Sequence, residues 1–265
     1  MSAPVAPATA AAPATPSPVP SPAPSPAPSP AAPSLSVALR RVIALAAIAG
    51  YVEVIGFLDI GGIYPGIMTG NTVQLGLTFA RGQWPRFSLI GFAVALFFVG
   101  GIIASLLKRH LRRPAVELIV VALVLVVASV VRLHAGAGVP LELPLLGLAM
   151  AMQGETISKF GGVSIQTIVV TNNMVKFSDA LVGRFISGWF GRQPGEKVPS
   201  LADVLLPGCA WLFYSLAAGA GALAAICLRL PLLVPAALLV LVACDLLLTG
   251  QGVPPAPAAP NDAAR

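Results

Sequence analysis

The sequence predicts an all-α integral membrane protein, with about six transmembrane helices and two interrupted, re-entrant polar segments in two related, inverted halves. Three observations lead there. Apolar residues fill 57% of the 265 positions and charged residues 10%, against about 25% charged in an ordinary soluble domain. So few charges cannot solubilise an exterior, whereas hydrocarbon makes an apolar exterior the stable one. The apolar residues fall into eight runs, and two of these runs are rich in amide and hydroxyl side chains.

Residues 1–34 contain twelve prolines, mostly in Ala-Pro and Ser-Pro repeats, and no charged side chain. Proline fixes φ and removes donors, so this segment reads as an extended tail without a core. No apolar h-region follows a basic start, so it is not a secretory signal. Residues 251–265 form a second, shorter tail. Between them, residues 35–250 form one membrane domain whose halves cover about 40–133 and 141–250.

The eight runs are Val42–Ile60, Gly66–Ala80, Phe87–Leu107, Ala115–Val131, Leu141–Ile157, Val163–Val182, Val204–Leu228 and Leu232–Leu248. Six of them are 17–25 residues long and nearly charge-free, the length that crosses hydrocarbon at about 1.5 Å per residue. The second run carries Thr69, Asn71, Thr72, Gln74 and Thr78. The sixth carries Gln166, Thr171, Asn172, Asn173, Lys176 and Asp179. Both are too polar to face lipid and are expected to be broken segments buried by the other helices. If both return to the side they came from, ten basic residues face one side and four the other. Eight full crossings weaken that bias. The positive-inside rule therefore favours six spans, with both termini in the cytoplasm.

The polar segments resemble each other at an offset of 102 residues. Met68-Thr69-Gly70-Asn71-Thr72-Val73 aligns with Val170-Thr171-Asn172-Asn173-Met174-Val175, and Glu53 falls on Glu155. Gly61-Gly62 and Gly161-Gly162 lie between carboxylate and Thr-x-Asn in each copy, and a basic loop follows. Each half reads as span, interrupted segment, span, span. Three crossings per half would invert one half relative to the other, an architecture of transporters and channels.

Gly56-Phe57-Leu58-Asp59 followed by Met68-Thr69-Gly70-Asn71-Thr72-Val73-Gln74-Leu75-Gly76-Leu77 resembles the signature of the YoaK-like family of bacterial multi-pass membrane proteins. The resemblance extends over about residues 40–250. Met152-Gln153 and then Thr171-Asn172-Asn173 fit the second copy, with Asn172 where Gly is common. The family implies an inner-membrane protein and names neither substrate nor reaction.

Ionisable groups inside spans are expensive, by at least about 2.5 kcal/mol at the bilayer centre, and mark pairing or function. Glu53 is the deepest such group. Asp59, beside Gly61-Gly62, reads equally as an interfacial residue. Glu155 with Lys159, and Lys176 with Asp179, have the spacing of intrahelical ion pairs. Asn71 with Gln74 has capping-box spacing, and that structural reading stands beside a second one. In the second, Glu53, Asp59, Thr69, Gly70, Asn71 and Gln74 from one half, with Gln153, Glu155, Thr171, Asn172 and Asn173 from the other, line a polar pathway at exposed helix starts. Ala217, Gly221 and Ala225 form a small-residue stripe for close helix packing.

Other chemistries find little support. His110 and His134 lack partners at ligand spacing, the three cysteines lie singly inside spans, and no phosphate-binding loop is present. Neither an enzyme nor a cofactor is expected. Basic residues are scattered in short clusters, so no nucleic-acid partner is expected. The expected partners are the lipid bilayer, a small solute and a second copy of the chain. The leading expectation is a secondary transporter or channel for a small polar or ionic solute. The alternative is a non-transporting scaffold or accessory subunit that binds partners through small-residue helix faces and the proline-rich tail.

Overall fold

The structure is a computed structural model that describes residues 34–111, 113–134, 138–156, 159–160, 163–191 and 197–249. Both predicted tails lie outside the described residues, apart from Ser34. The chain is α-helical, as expected. The first half consists of α1 (Leu35–Asp59), α2 (Met68–Ala80), α3 (Trp84–Leu111) and α4 (Pro114–Val131). A π-helical turn, Gly138–Glu142, leads into α5 (Leu143–Thr156). A two-stranded antiparallel ladder, β1 (Lys159–Phe160) with β2 (Val163–Ser164), precedes α6 (Val170–Leu181). A second π-helical turn at Val182–Ile186 runs into the one-turn helix α7 (Ser187–Phe190), followed by α8 (Leu201–Cys227) and α9 (Leu233–Leu248).

Helices α1, α3, α4 and α8 are each long and apolar enough to cross a membrane. Helix α9 has 16 residues, and the π-helical turn before α5 lengthens that 14-residue helix. The outer faces are apolar: Phe98, Leu123, Leu216, Leu223 and Ile226 are all exposed. In water this would be a liability, but in a bilayer it is the required solvent-facing surface.

Local chemistry sets the helix ends. Pro114 opens α4, where its missing N–H costs nothing. Ser200 and Asp203 form a reciprocal capping box at α8. At the end of α1, Gly61 and Gly62 take φ of +68° and +86°, and the Gly62 N–H donates to Phe57 O at 2.7 Å. This left-handed closure needs glycine, and it turns the chain back toward α2.

Helix α1 is the most buried of the long helices and packs chiefly on α8, with further contacts to α9 and α5. The approach to α8 is close because small residues meet backbone there. A Cβ on Gly50 would collide with the Tyr214 carbonyl, and one on Gly221 would lie 2.8 Å from Tyr51 O. The small-residue stripe of α8 is thus engaged inside the molecule, where van der Waals packing holds helices together in lipid. Elsewhere α3 packs on α5, α4 on α9 and α5, α6 on α8, and α2 on α3. Exchanging α1 with α5, α2 with α6, α3 with α8 and α4 with α9 converts each of these packings into another of the set or into itself, whereas the smaller α3–α4 packing has no α8–α9 counterpart of similar extent among the described residues.

Ion pairs tie both ends of α1. Near its start, Arg40 and Arg41 pair with Asp245 of α9, and Arg41 also donates to Thr249 Oγ1 at 2.6 Å. At its end, Asp59 accepts from Arg132 Nε at 2.6 Å and Nη2 at 3.2 Å. Arg132 also donates to Ala225 O of α8 at 3.3 Å, so one guanidinium joins the ends of α1, α4 and α8.

Candidate functional site

The two short polar helices start from matching loops. Before α2, Asn71 Nδ2 donates to Tyr64 O at 2.7 Å while its Oδ1 accepts the Tyr64 N–H at 3.0 Å. Before α6, Asn173 Nδ2 donates to Gln166 O at 2.9 Å. Both asparagines reach back seven residues, and both are buried. Gln74 Nε2 donates to Gly62 O at 3.1 Å, and Lys176 Nζ to Ser164 O at 2.6 Å, each reaching back twelve. Every one of these pairs is separated from its counterpart by the 102-residue offset. Asn71 lies in the first turn of α2, not at its N-cap, which is Ile67. It therefore clamps the preceding loop instead of forming the capping box suggested by its spacing to Gln74.

Glu53 sits six residues before the end of α1, about 9 Å along the helix axis. It is buried, and its Oε1 accepts the N–H groups of Gly66 and Ile67 at 3.1 and 3.0 Å. These donors immediately precede α2, where a carboxylate complements the positive end of the helix dipole. Oε2 is buried without a hydrogen-bond partner. A Cβ on Gly66 would stand 2.7 Å from that oxygen and 2.8 Å from Met150 Cε, so this position has no room for a side chain.

Glu155 behaves differently. It is half exposed and lies 3.8 Å from Lys108 Nζ of α3, which also donates to the Glu155 carbonyl. The side chain of Lys159, its expected partner, lies outside the described residues. Lys176 is held by Ser164 O and not by the Asp179 expected from spacing. Gln153 is buried and donates to Leu45 O at 2.7 Å, tying α5 to α1. Asp59 belongs to the Arg132 pair at the end of α1.

The starts of α2 and α6 open onto one cavity of about 260 Å³. Gly66, Ile67, Met68 and Thr69 line one wall, Ile168, Val169, Val170 and Thr171 the other, and Phe97 of α3 closes a side. Of the sequence candidates, Thr69 and Thr171 reach the lining. Gly70 and Asn172 follow them in their helices, and a Cβ on Gly70 would meet the Tyr64 ring at 2.9 Å. Asn71 and Asn173 hold the loops beneath, Gln74 holds the loop behind α2, and Glu53 backs the wall at Gly66.

Sequence reasoning did not single out Phe97, Tyr64 or Tyr214. Tyr214 of α8 is buried, its hydroxyl has no hydrogen-bond partner, and it lies within electrostatic reach of Glu53 and Tyr64. A phenol inside an apolar span was the available signal. Glu117 at the start of α4 and Glu142 before α5 were also passed over, and both are buried. Glu142 lies beside the Asp59–Arg132 pair, while Glu117 lies beside Thr156.

Among the described residues, no group of three His, Cys, Asp or Glu side chains could hold a metal ion.

A curated relative, the UPF0700 transmembrane protein YoaK of Bacillus subtilis (strain 168), is 30% identical over 183 residues, covering 66% of this chain and 78% of that protein. No solved structure matches. The profile of the protein family of unknown function DUF1275 matches residues 42–244. With that match over most of its length, the chain belongs to the DUF1275 family of multi-pass membrane proteins.

Proposed function

We propose that this protein is a secondary transporter or channel for a small polar or ionic solute, built from two inverted halves and resident in the bacterial inner membrane with both termini in the cytoplasm. The observation that carries the reading is the shared cavity at the starts of α2 and α6. Two short helices begin there with N–H groups that have no intrahelical acceptor. Irregular backbone at membrane depth is tolerated where it is buried in protein or lines a cavity. Two equivalent broken segments meeting at one site are the mark of repeat-built transporters. The 102-residue correspondence of the two loops and the exchange symmetry of the helix packing support the repeat. Thr69 and Thr171 would contact the solute, and Asn71 and Asn173 would fix the helix starts that face it.

The scaffold reading loses one of its supports, because the small-residue face of α8 is spent against α1. The test is thiol accessibility. Single cysteines replace Thr69 and Thr171 in a chain lacking Cys209, Cys227 and Cys244, and membrane vesicles of each orientation meet an impermeant thiol reagent. The expected result is modification of both positions, reached from opposite faces. Absence of reaction at either position in folded protein would contradict a solute pathway.

A further inference from the structure

Glu53 has chemistry beyond holding the start of α2. Its Oε1 satisfies two backbone donors, and that duty is met whether the carboxyl is charged or neutral. Its Oε2 is buried with no partner, and a Cβ on Gly66, a residue of the cavity lining, would stand 2.7 Å from it. An unpaired charge in such surroundings is costly unless a cation or a proton joins it.

The cations at the ends of the packed helices are committed elsewhere. Arg40 and Arg41 pair with Asp245, Arg132 with Asp59 and Lys108 with Glu155. The groups facing Glu53 from the packed elements are neutral: Met150 on α5, the Gly66 and Ile67 amides, and the titratable phenol of Tyr214 on α8, itself close to Tyr64. On α1, Tyr51 carries another buried hydroxyl without a partner.

We infer that Glu53 is a proton-binding site loaded from the cavity between α2 and α6, with Oε2 as the atom that takes the proton. The step balances simply. A hydronium ion in the cavity gives its proton to Oε2, water is left behind, and the carboxylate becomes a carboxylic acid. Release reverses each change. The hydrogen bonds to Oε1 persist in both states, so the helix start stays in place while one negative charge beside the cavity appears or vanishes. A solute whose affinity depends on that charge is thereby coupled to the proton, and the coupling is reciprocal. The offset equivalent, Glu155, cannot share the role, because it is half exposed and paired with Lys108. The inference rests on the solute-pathway reading for its route, but its test needs no solute.

The experiment is infrared difference spectroscopy of the purified full-length protein in lipid, titrated with acid and base. The expected result is a protonated-carboxyl band that disappears as pH rises, shifts in heavy water and is missing from Glu53→Gln. Gln keeps the Oε1 acceptor, so the loop before α2 should stay bound. If Glu53→Gln does not insert, Glu53→Asp serves in its place, and the titrating band should then move in frequency. A wild-type spectrum with no titrating band attributable to Glu53 overturns the inference. So does a band that persists unchanged across the range in which the protein stays folded. Either failure would leave the thiol-accessibility result standing, so the two readings fail separately.

Discussion

The starts of α2 and α6 share a Thr-x-Asn sequence, a seven-residue clamp and a twelve-residue tether, yet a buried carboxylate backs only the first. At α2, Glu53 holds the amides of Gly66 and Ile67. At α6, the corresponding Glu155 has turned to Lys108. The lining residues follow suit. Gly66 leaves room for the Glu53 carboxyl, whereas its counterpart in the second half is Ile168, which packs against Gly154. Similar sequence thus makes similar backbone, while a difference of one side chain's direction gives the two walls of the cavity different electrostatics.

Seven substitutions sharpen or break that contrast, each read as Tm of the purified protein. Glu53→Ala strands two buried amide donors, at about 1–3 kcal/mol each, and should cause the largest loss. Glu155→Ala removes an exposed pair with a typical worth below about 1 kcal/mol, and its Tm should barely move. Equal losses at the two glutamates would break the comparison. Asn71→Ala comes next. It removes both hydrogen bonds to Tyr64 and should cost about 2–3 kcal/mol, against about 1 kcal/mol for Asn173→Ala with its single bond to Gln166. Gly66→Ala presses a methyl group on Glu53 Oε2 and Met150, an overpacking of about 1–3 kcal/mol. If it proves neutral, the wall is looser than the 2.7 Å approach implies. Gln74→Ala and Lys176→Ala follow, at about 0.5–1 kcal/mol each. Their losses should be similar, since both side chains hold one carbonyl twelve residues back, with Gln74 also accepting a longer bond from Arg86 Nη2 at 3.4 Å.

The helical, membrane-spanning character of the chain was legible from hydropathy, and the departures have physical causes. Helix α1 begins at Leu35, seven residues before its apolar run, because Arg40 and Arg41 are helical and satisfied by Asp245. Hydropathy cannot register a charged turn that finds a partner on another helix. Helix α6 begins at Val170 although its apolar run starts at Val163, because Val163 and Ser164 pair as a strand and Ile165 is buried in the loop that follows. A short apolar run does not reveal its own period. The offset marked Glu53 and Glu155 as equals, and only their surroundings separate them. Asn71 illustrates the same limit. Its spacing to Gln74 fits a cap, but the direction of its side chain, back over the loop to Tyr64, is settled by tertiary packing.

The central claim is that the two helix starts face each other across one cavity, and a cross-linking experiment tests it most directly. Cysteines placed together at Thr69 and Thr171, in a chain without the three native cysteines, would be treated in membranes with a short bifunctional thiol reagent. The expected product is an intramolecular bridge, seen after proteolysis as one linked peptide pair and blocked by prior modification of either cysteine. Efficient modification of both cysteines with no bridge between them would contradict a shared cavity and place the two half-helices at separate sites.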